Sequence, residues 1–340
     1  MKIALITGIS GQDGAYLAKF LLKKKYKIIG LDRRSSRDDR WRLNYLGIEN
    51  QIIFEYSDLV EISSIQRIFN KYKIDEVYNL AAQSFVGSSF DVPISTCDVN
   101  ALGVLRILEV IRNNKRNIKF YQASSSEMFG KVLEIPQNEY TPLNPQSPYA
   151  ISKVFGHYIA QNYRNSYGMF VCSGILFNHE SPLRGEEFVT RKITVGLSKI
   201  ISGKIDCLYL GNIDAKRDWG YSEDYVEAMW LMMQKNKSDD YVVATNKTYS
   251  VKDFINEAVK HYNLKIFWKG KAENQQAVNK VNNKIIIKID SKFYRPAEVN
   301  FLKGNANKAK KILKWKPKVD FKKLVEIMSK ADIKRNLNKS

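Results

Sequence analysis

The 340-residue sequence predicts an α/β fold, a doubly wound parallel sheet with a smaller, interleaved α/β cap. Three observations carry this expectation. Short apolar segments alternate with helical patterns through the first half of the chain. Those segments are nearly continuous in apolar character, as strands buried on both faces are. A glycine-rich turn follows the first of them, where a βαβ unit needs a tight crossover.

In chain order the strand-like segments are "KIALITG", "YKIIGLD", "IIFEYSD", "EVYNLAA" and "KFYQASS". The helix-like stretches "GAYLAKFLLKKK", "SSIQRIFNKY" and "ALGVLRILEVIRNN" lie between them, and "FVCSGILF" is a further strand after a helix carrying Tyr149. From about residue 178 the pattern loosens through "NHESPLRGEEF", "GNIDAKRDWG" and "FYRPAEV". We read this part as a substrate-binding cap around the carboxyl ends of the strands, where α/β sheets bind ligands. The division is residues 1–177, mainly a Rossmann-like dinucleotide-binding domain, and 178–335, mainly the cap, with some segments returning to the sheet. There is no internal repeat and no low-complexity linker.

The formal charge is +20, from 55 Lys and Arg against 35 Asp and Glu. The lysines are spread along the chain, densest in "NKAKKILKWKPKVDFKK", without a basic-aromatic motif. This describes a solvated surface that favours small polyanions, and nucleic acid is not expected as a partner. No apolar run reaches the roughly 18 residues that span a bilayer, so no membrane partner is expected. "MKIALITGIS" lacks the pattern of a signal peptide. Three scattered cysteines, Cys97, Cys172 and Cys207, suit a reduced, cytoplasmic protein, and three histidines argue against a metal site.

"ITGISGQDG" sets Gly8, Gly11 and Gly14 after the first strand, with a helix expected from near Ala15. Glycines there let a pyrophosphate approach the backbone and rest on the helix N-terminus, which points to a dinucleotide. Asp32 ends the second strand, where an acid accepts hydrogen bonds from the ribose of NAD. Arg33 and Arg34 follow at once and suit a 2′-phosphate. NADP is the expected cofactor, with Asp32 turned aside or paired to an arginine; Asp32 keeps NAD open.

"SPYAISK" places Tyr149 and Lys153 one helical turn apart. A tyrosine, with an ordinary pKa of about 10, becomes a useful base only when a cation stabilises its phenolate. Ser125, at the end of "KFYQASS", can hydrogen-bond the oxygen that Tyr149 deprotonates, and this trio is a short-chain dehydrogenase pattern. Hydride transfer leaves Glu127 unexplained. A carboxylate two residues beyond the serine suits removal of a proton from carbon beside a new ketone.

Several blocks together resemble the GDP-mannose 4,6-dehydratase family, an extended short-chain dehydrogenase group. They are "GISGQDGAYL", "RRSS", "NLAAQS", "YQASSSEMFGK", "SPYAISK", "GILFNHESPLRG", "FVTRKI", "LGNIDAKRDWG", "DYVEAMWLM" and "FYRPAEV", and the similarity runs from Lys2 to about Ile333. The resemblance implies an NADP-dependent hydro-lyase acting on a GDP-sugar, with Ser125 (where threonine is usual), Glu127 and Tyr149 as the catalytic set beside Lys153. It implies cofactor contacts from Gly8, Ile9, Ser10, Gly11, Gln12 and Asp13, then Arg33, Arg34, Ser35 and Ser36. Further contacts implied are Asp58, Leu59, Leu80, Ala81, Ala82, Gln83, Ser84, Lys153, His179 and Arg184. Ser84, Ser125 and Glu127 are expected to face substrate as well.

Three positions depart from the family pattern. Asp32 replaces an apolar residue, Ser95 stands where a cofactor-contacting tyrosine is common, and "DDRWRLNYLG" differs from the usual segment after "RRSS". In the cap, Arg217 and Arg295 are expected to hold the diphosphate, from their setting in loop segments with few apolar neighbours. Glu298 is a candidate for the guanine donors, and Asn178, Arg191 and Lys192 are further substrate contacts.

The implied reaction oxidises C4, removes water across C5 and C6, and returns hydride to C6. Two rivals keep the fold: the same chemistry on a GDP-manno-heptose, and a 4-keto sugar reductase or epimerase, which needs no elimination base. Relatives imply a homodimer or homotetramer.

Overall fold

Seven parallel strands form the central sheet of the computed structural model, which describes residues 1–36, 39–114, 116–294, 299 and 301–337. Their order across the sheet is Asp240–Val243, Val171–Leu176, Lys119–Ser125, Glu76–Asn79, Ile3–Thr7, Lys27–Asp32 and Ile52–Tyr56. The chain reverses direction across the sheet between Ile3–Thr7 and Glu76–Asn79, and that switch point opens a crevice at the carboxyl ends. The last strand to join, Asp240–Val243, comes from beyond residue 177 and pairs with Val171–Leu176.

Burial follows the pleat. Ala4, Ile6, Tyr78 and Tyr121 enter one apolar cluster, while their neighbours Leu5, Val77 and Phe120 enter another on the opposite face. Both faces are therefore core, which is why the strands read as continuous apolar runs. A third cluster belongs to the cap. It joins helices Val189–Ile201, Val251–His261 and Phe321–Leu337 to a four-stranded sheet of Ile266–Lys269, Gln276–Asn279, Ile285–Ile289 and Leu208–Leu210.

The first helix starts at Gln12 rather than near Ala15. Gly14 thus lies inside its first turn, because a Cβ there would sit 2.3 Å from the Gly8 carbonyl oxygen. The third glycine lets the helix press against the turn and does not form part of the turn itself.

Candidate active site

The glycine turn is held from below. Thr7 Oγ1 donates to Asn79 Oδ1 at 2.7 Å and accepts the backbone N–H groups of Leu80 and Ala81 at 3.0 Å. Asn79 in turn donates to Gln122 at 2.9 Å. This buried chain locks three strand ends side by side beneath Gly8, whose φ of +67° and Cβ position 2.9 Å from the Ala81 backbone admit only glycine. The helix Gln12–Lys23 has Gly11 at its N-cap and no side-chain cap, so its first N–H groups point outward as donors.

At the end of the second strand, Asp32 accepts from Ser10 Oγ at 3.1 Å and lies 3.8 Å from Arg40. The carboxylate is paired to an arginine, but to Arg40 rather than to either member of the "RR" pair. Arg33, Arg34, Ser35 and Ser36 are exposed beyond it. Leu59 is buried, packed against Gly103, while Asp58 accepts from Val60 N–H at 3.2 Å. In the segment Leu80, Ala81, Ala82, Gln83 and Ser84, Gln83 exchanges two 2.9 Å hydrogen bonds with Asn100.

The strand Lys119–Ser125 delivers Ser125 to the crevice, where a short 3-10 helix, Ser126–Phe129, takes over. Ser125 Oγ accepts the Glu127 N–H at 3.2 Å, which buries Glu127 beside it. The helix Pro148–Tyr167 begins with Ser147 accepting the Ala150 N–H at 3.1 Å and proline at its first position. That start fixes Tyr149 and Lys153 over the strand. Burial pushes the Tyr149 phenol up to about 12; a hydrogen bond to Ser125 opposes the shift and the Glu127 charge adds to it. Burial pulls the Lys153 ammonium down to about 8, with Asp13 opposing, and Lys153 Nζ donates to the Ala123 carbonyl at 2.9 Å. Ser125, Glu127, Tyr149 and Lys153 come together as the sequence predicts.

From the cap side, His179 closes on the glycine turn through Asp13 at 2.7 Å, and Gln12 donates to the His179 carbonyl at 3.0 Å. Arg184 lies over the Phe188 ring at 3.6 Å and 3.3 Å from Glu180. Beside these residues is a cavity of about 550 Å³ lined by Asn178, Glu180, Lys192 and Arg217, with aromatic walls from Phe85, Phe188 and Trp219.

Arg191, expected as a substrate contact, is engaged inside the protein. Its Nε donates to both oxygens of Asp332 at 3.0 and 2.8 Å, and Nη1 donates to the Pro182 and Arg184 carbonyls. It is only 3% exposed and holds the cap together rather than lining the cavity. Arg217 also differs from expectation: it lies in a two-residue strand, Lys216–Arg217, and is buried. Arg295 and Glu298 lie outside the described residues. The aromatic walls went unread in the sequence, although "DAKRDWG" holds Trp219 and "FVTRKI" opens on Phe188; Phe85 carries no local signal.

The family model described as GDP-mannose 4,6 dehydratase matches residues 5–328. GDP-mannose 4,6 dehydratase 1 of Arabidopsis thaliana is 51% identical over 342 residues, covering 98% of this chain and 90% of its own length. GDP-mannose 4,6 dehydratase of Drosophila melanogaster is 49% identical over 340 residues, covering 98% of this chain and 86% of its own. Among solved structures, dTDP-glucose 4,6-dehydratase from Bacillus anthracis in complex with NAD superposes with a TM-score of 0.81 at 20% identity. The match covers 99% of this chain and 98% of that one, a likeness of fold.

Proposed function

The chain belongs to the GDP-mannose 4,6-dehydratase family, and from that membership we propose that it converts GDP-mannose to GDP-4-keto-6-deoxymannose and water. The observation that carries this reading is Glu127, a buried carboxylate two residues beyond Ser125 whose charge raises the pKa of the Tyr149 phenol. Hydride transfer at a sugar carbon needs a hydroxyl and a Tyr–Lys pair. An elimination also needs a base close to them, and Glu127 supplies it.

The glycine turn fits a nicotinamide dinucleotide. Gly8 and Gly14 leave no room for a Cβ, and the uncapped start of Gln12–Lys23 offers N–H donors to a pyrophosphate. Asp32 is already engaged by Ser10 and Arg40, while Arg33 and Arg34 are exposed, an arrangement that favours the additional phosphate of NADP. When bound, the nicotinamide supplies an acceptor for hydride from C4 and a donor of hydride to C6.

The protein side chains manage the protons. Tyr149 takes the proton of the sugar 4-hydroxyl, and Ser125, which already accepts the Glu127 N–H, turns its own O–H toward the same oxygen. The Lys153 ammonium, one turn away and 5.8 Å from the Tyr149 ring, lowers the cost of the phenolate. Once C4 is a ketone, the C5 proton is acidic and Glu127 removes it. Of the two protons taken up by Tyr149 and Glu127, one leaves with the C6 hydroxyl as water and the other returns to C5, while C6 receives the hydride. Atoms balance with loss of one water and no net consumption of cofactor.

The cavity is the seat we assign to the nucleotide, with Arg217 and Lys192 toward the diphosphate. The three free cysteines suit a cytoplasmic setting. We read the chain as a homo-oligomer, because Ile151, Phe155 and Tyr158 form an exposed apolar stripe on the outer side of the catalytic helix. Light scattering of the purified protein decides that point.

The reading is tested by incubating the protein with GDP-mannose, without added reductant, and weighing the nucleotide sugar. Loss of one water that disappears in E127Q supports it. Dehydration of a GDP-manno-heptose alone changes the substrate, and no loss of water from either sinks the reading.

A further inference from the structure

Beside the apolar and small residues Ala150, Gly156, Ala160 and Tyr163, the inward side of the helix Pro148–Tyr167 carries a polar row, where a helix packed on a sheet is ordinarily apolar. Tyr149, Lys153, His157, Gln161 and Arg164 recur along it at helical spacing. Ser125 lies close enough to Tyr149 to hold down its phenol pKa, Lys153 donates to the Ala123 carbonyl at 2.9 Å, and His157 Nδ1 lies 3.0 Å from Ser124 Oγ. Consecutive residues 123, 124 and 125 at the end of one strand are thus each tied to a different turn of one helix. Farther along, Gln161 Nε2 donates to His157 Nε2 at 3.0 Å and to Asp240 at 2.7 Å, and Arg164 makes two bonds to Asp240 at 2.9 and 2.7 Å.

These contacts assign the tautomer. The Gln161 amide nitrogen can only donate, so His157 Nε2 accepts, and its proton resides on Nδ1, which donates to Ser124 Oγ. An imidazolium would set N–H against N–H at Gln161. Turning the amide over would relieve that clash only by placing its oxygen against the Asp240 carboxylate. Burial holds the His157 pKa below its usual value; Asp240 opposes the shift and Arg164 reinforces it. Asp239 and Cys172 also act on that cluster through Arg164.

An apolar seam would be less costly to bury but would leave the register of helix on strand loosely specified. A slip of one residue moves a helix about 1.5 Å along its axis and turns it by about 100°, which would carry Tyr149 away from Ser125. His157 is the link that joins the strand bearing Ser125 to the Gln161–Asp240 anchor. We propose that His157, held as the neutral Nδ1–H tautomer between Ser124 and Gln161, is a positioning residue that sets the register of the catalytic helix and thereby the Tyr149–Ser125 pair.

The kinetic part of the test rests on the dehydratase reading, and the spectroscopic part does not. Asparagine places a donor near the Nδ1 position, whereas phenylalanine keeps bulk without it. His157→Asn is expected to keep kcat within about threefold of the parent, and His157→Phe to lose roughly 10- to 100-fold in kcat with KM for GDP-mannose little changed. Ser124→Ala, a smaller change, should lose kcat in the same direction and add little in combination with His157→Phe. Independently of turnover, ¹⁵N spectra of the three histidines should show one neutral Nδ1–H ring that resists protonation. An Nε2–H or imidazolium form of His157 at neutral pH overturns the proposal, as does equal kcat in the parent and His157→Phe. Equal losses in Asn and Phe variants with a shared rise in KM would also overturn it. If the parent itself lacks dehydratase turnover, the functional reading fails while the spectra still decide the tautomer.

Discussion

His179 Nε2 donates to Asp13 at 2.7 Å while its Nδ1 donates to the Phe177 carbonyl, also at 2.7 Å. Both partners are acceptors, so both ring nitrogens carry protons and the side chain is an imidazolium paired with a carboxylate. Ser222 donates to the other Asp13 oxygen at 2.7 Å, and the Tyr225 ring stacks on the imidazole at 4.7 Å. The first helix of the sheet domain is thereby joined to Asn178–Glu180 in the cap.

This pair makes stability depend on pH at both ends. Burial works against the Asp13 carboxylate, yet His179 and Ser222 hold its pKa down at about 2, below the usual 3.8. The stability it contributes is present above pH 3.8 and lost as pH falls through about 2. Burial also works against the imidazolium, but Asp13 raises the His179 pKa above its usual 6.5. That contribution is full below pH 6.5 and lost as pH rises through the raised value. Asp13→Asn should cost about 2 kcal/mol at slightly acid pH, the linkage value of the Asp13 shift, and flatten both limbs of a melting-temperature profile. An unchanged profile would show that the pair carries no linkage.

Glu127 should be separable from substrate binding. Glu127→Gln keeps the shape and the backbone N–H bonded to Ser125 but removes the base. We expect kcat for dehydration to fall by about 10²- to 10⁴-fold, the range for loss of a general base. Calorimetric affinity for GDP-mannose should change by less than about threefold, since the carboxylate acts after binding. Comparable losses in affinity and turnover would make Glu127 a binding residue.

Lys153 titrates within reach of ordinary assays. Its pKa is lowered to about 8 by burial, so above that pH the unliganded enzyme loses the cation that supports the Tyr149 phenolate. The profile of kcat/KM should therefore fall on the alkaline side near pH 8. Lys153→Met should lower kcat/KM by about 10²-fold and remove that limb. A limb that persists in the variant belongs to another group.

Much of this architecture was legible because apolar continuity and glycine placement are local signals. "KFYQASS" matches the observed strand Lys119–Ser125 end to end, and Ser125, Glu127, Tyr149 and Lys153 meet because the strand and the helix that follow from it are both well marked. Arg191 was not legible, since its partner Asp332 is 141 residues away and no local pattern announces the pair. The helix start at Gln12 was missed for a related reason: the need for Gly14 arises from contact with the Gly8 carbonyl, a tertiary constraint. The polar seam at His157 and Gln161 likewise reads in sequence as helix surface.

Cofactor choice provides the last prediction. Asp32 would ordinarily accept hydrogen bonds from ribose hydroxyls, but Ser10 Oγ at 3.1 Å and Arg40 at 3.8 Å already face it. Arg33 and Arg34 are exposed immediately beyond the strand end, where an adenosine 2′-phosphate would lie. Charge-assisted bonds to phosphate are each worth roughly 1.5–3 kcal/mol, so removing both arginines should weaken NADP by about 10²- to 10⁴-fold. NAD lacks the phosphate and should be nearly indifferent to the same change. Fluorescence titration of the parent and of the Arg33→Ala, Arg34→Ala double variant with each dinucleotide measures the difference directly. A parallel loss for both dinucleotides would mean that the arginines order the loop instead of reading the phosphate. A parent that binds NAD as tightly as NADP would mean that Asp32 remains available to the ribose despite its partners.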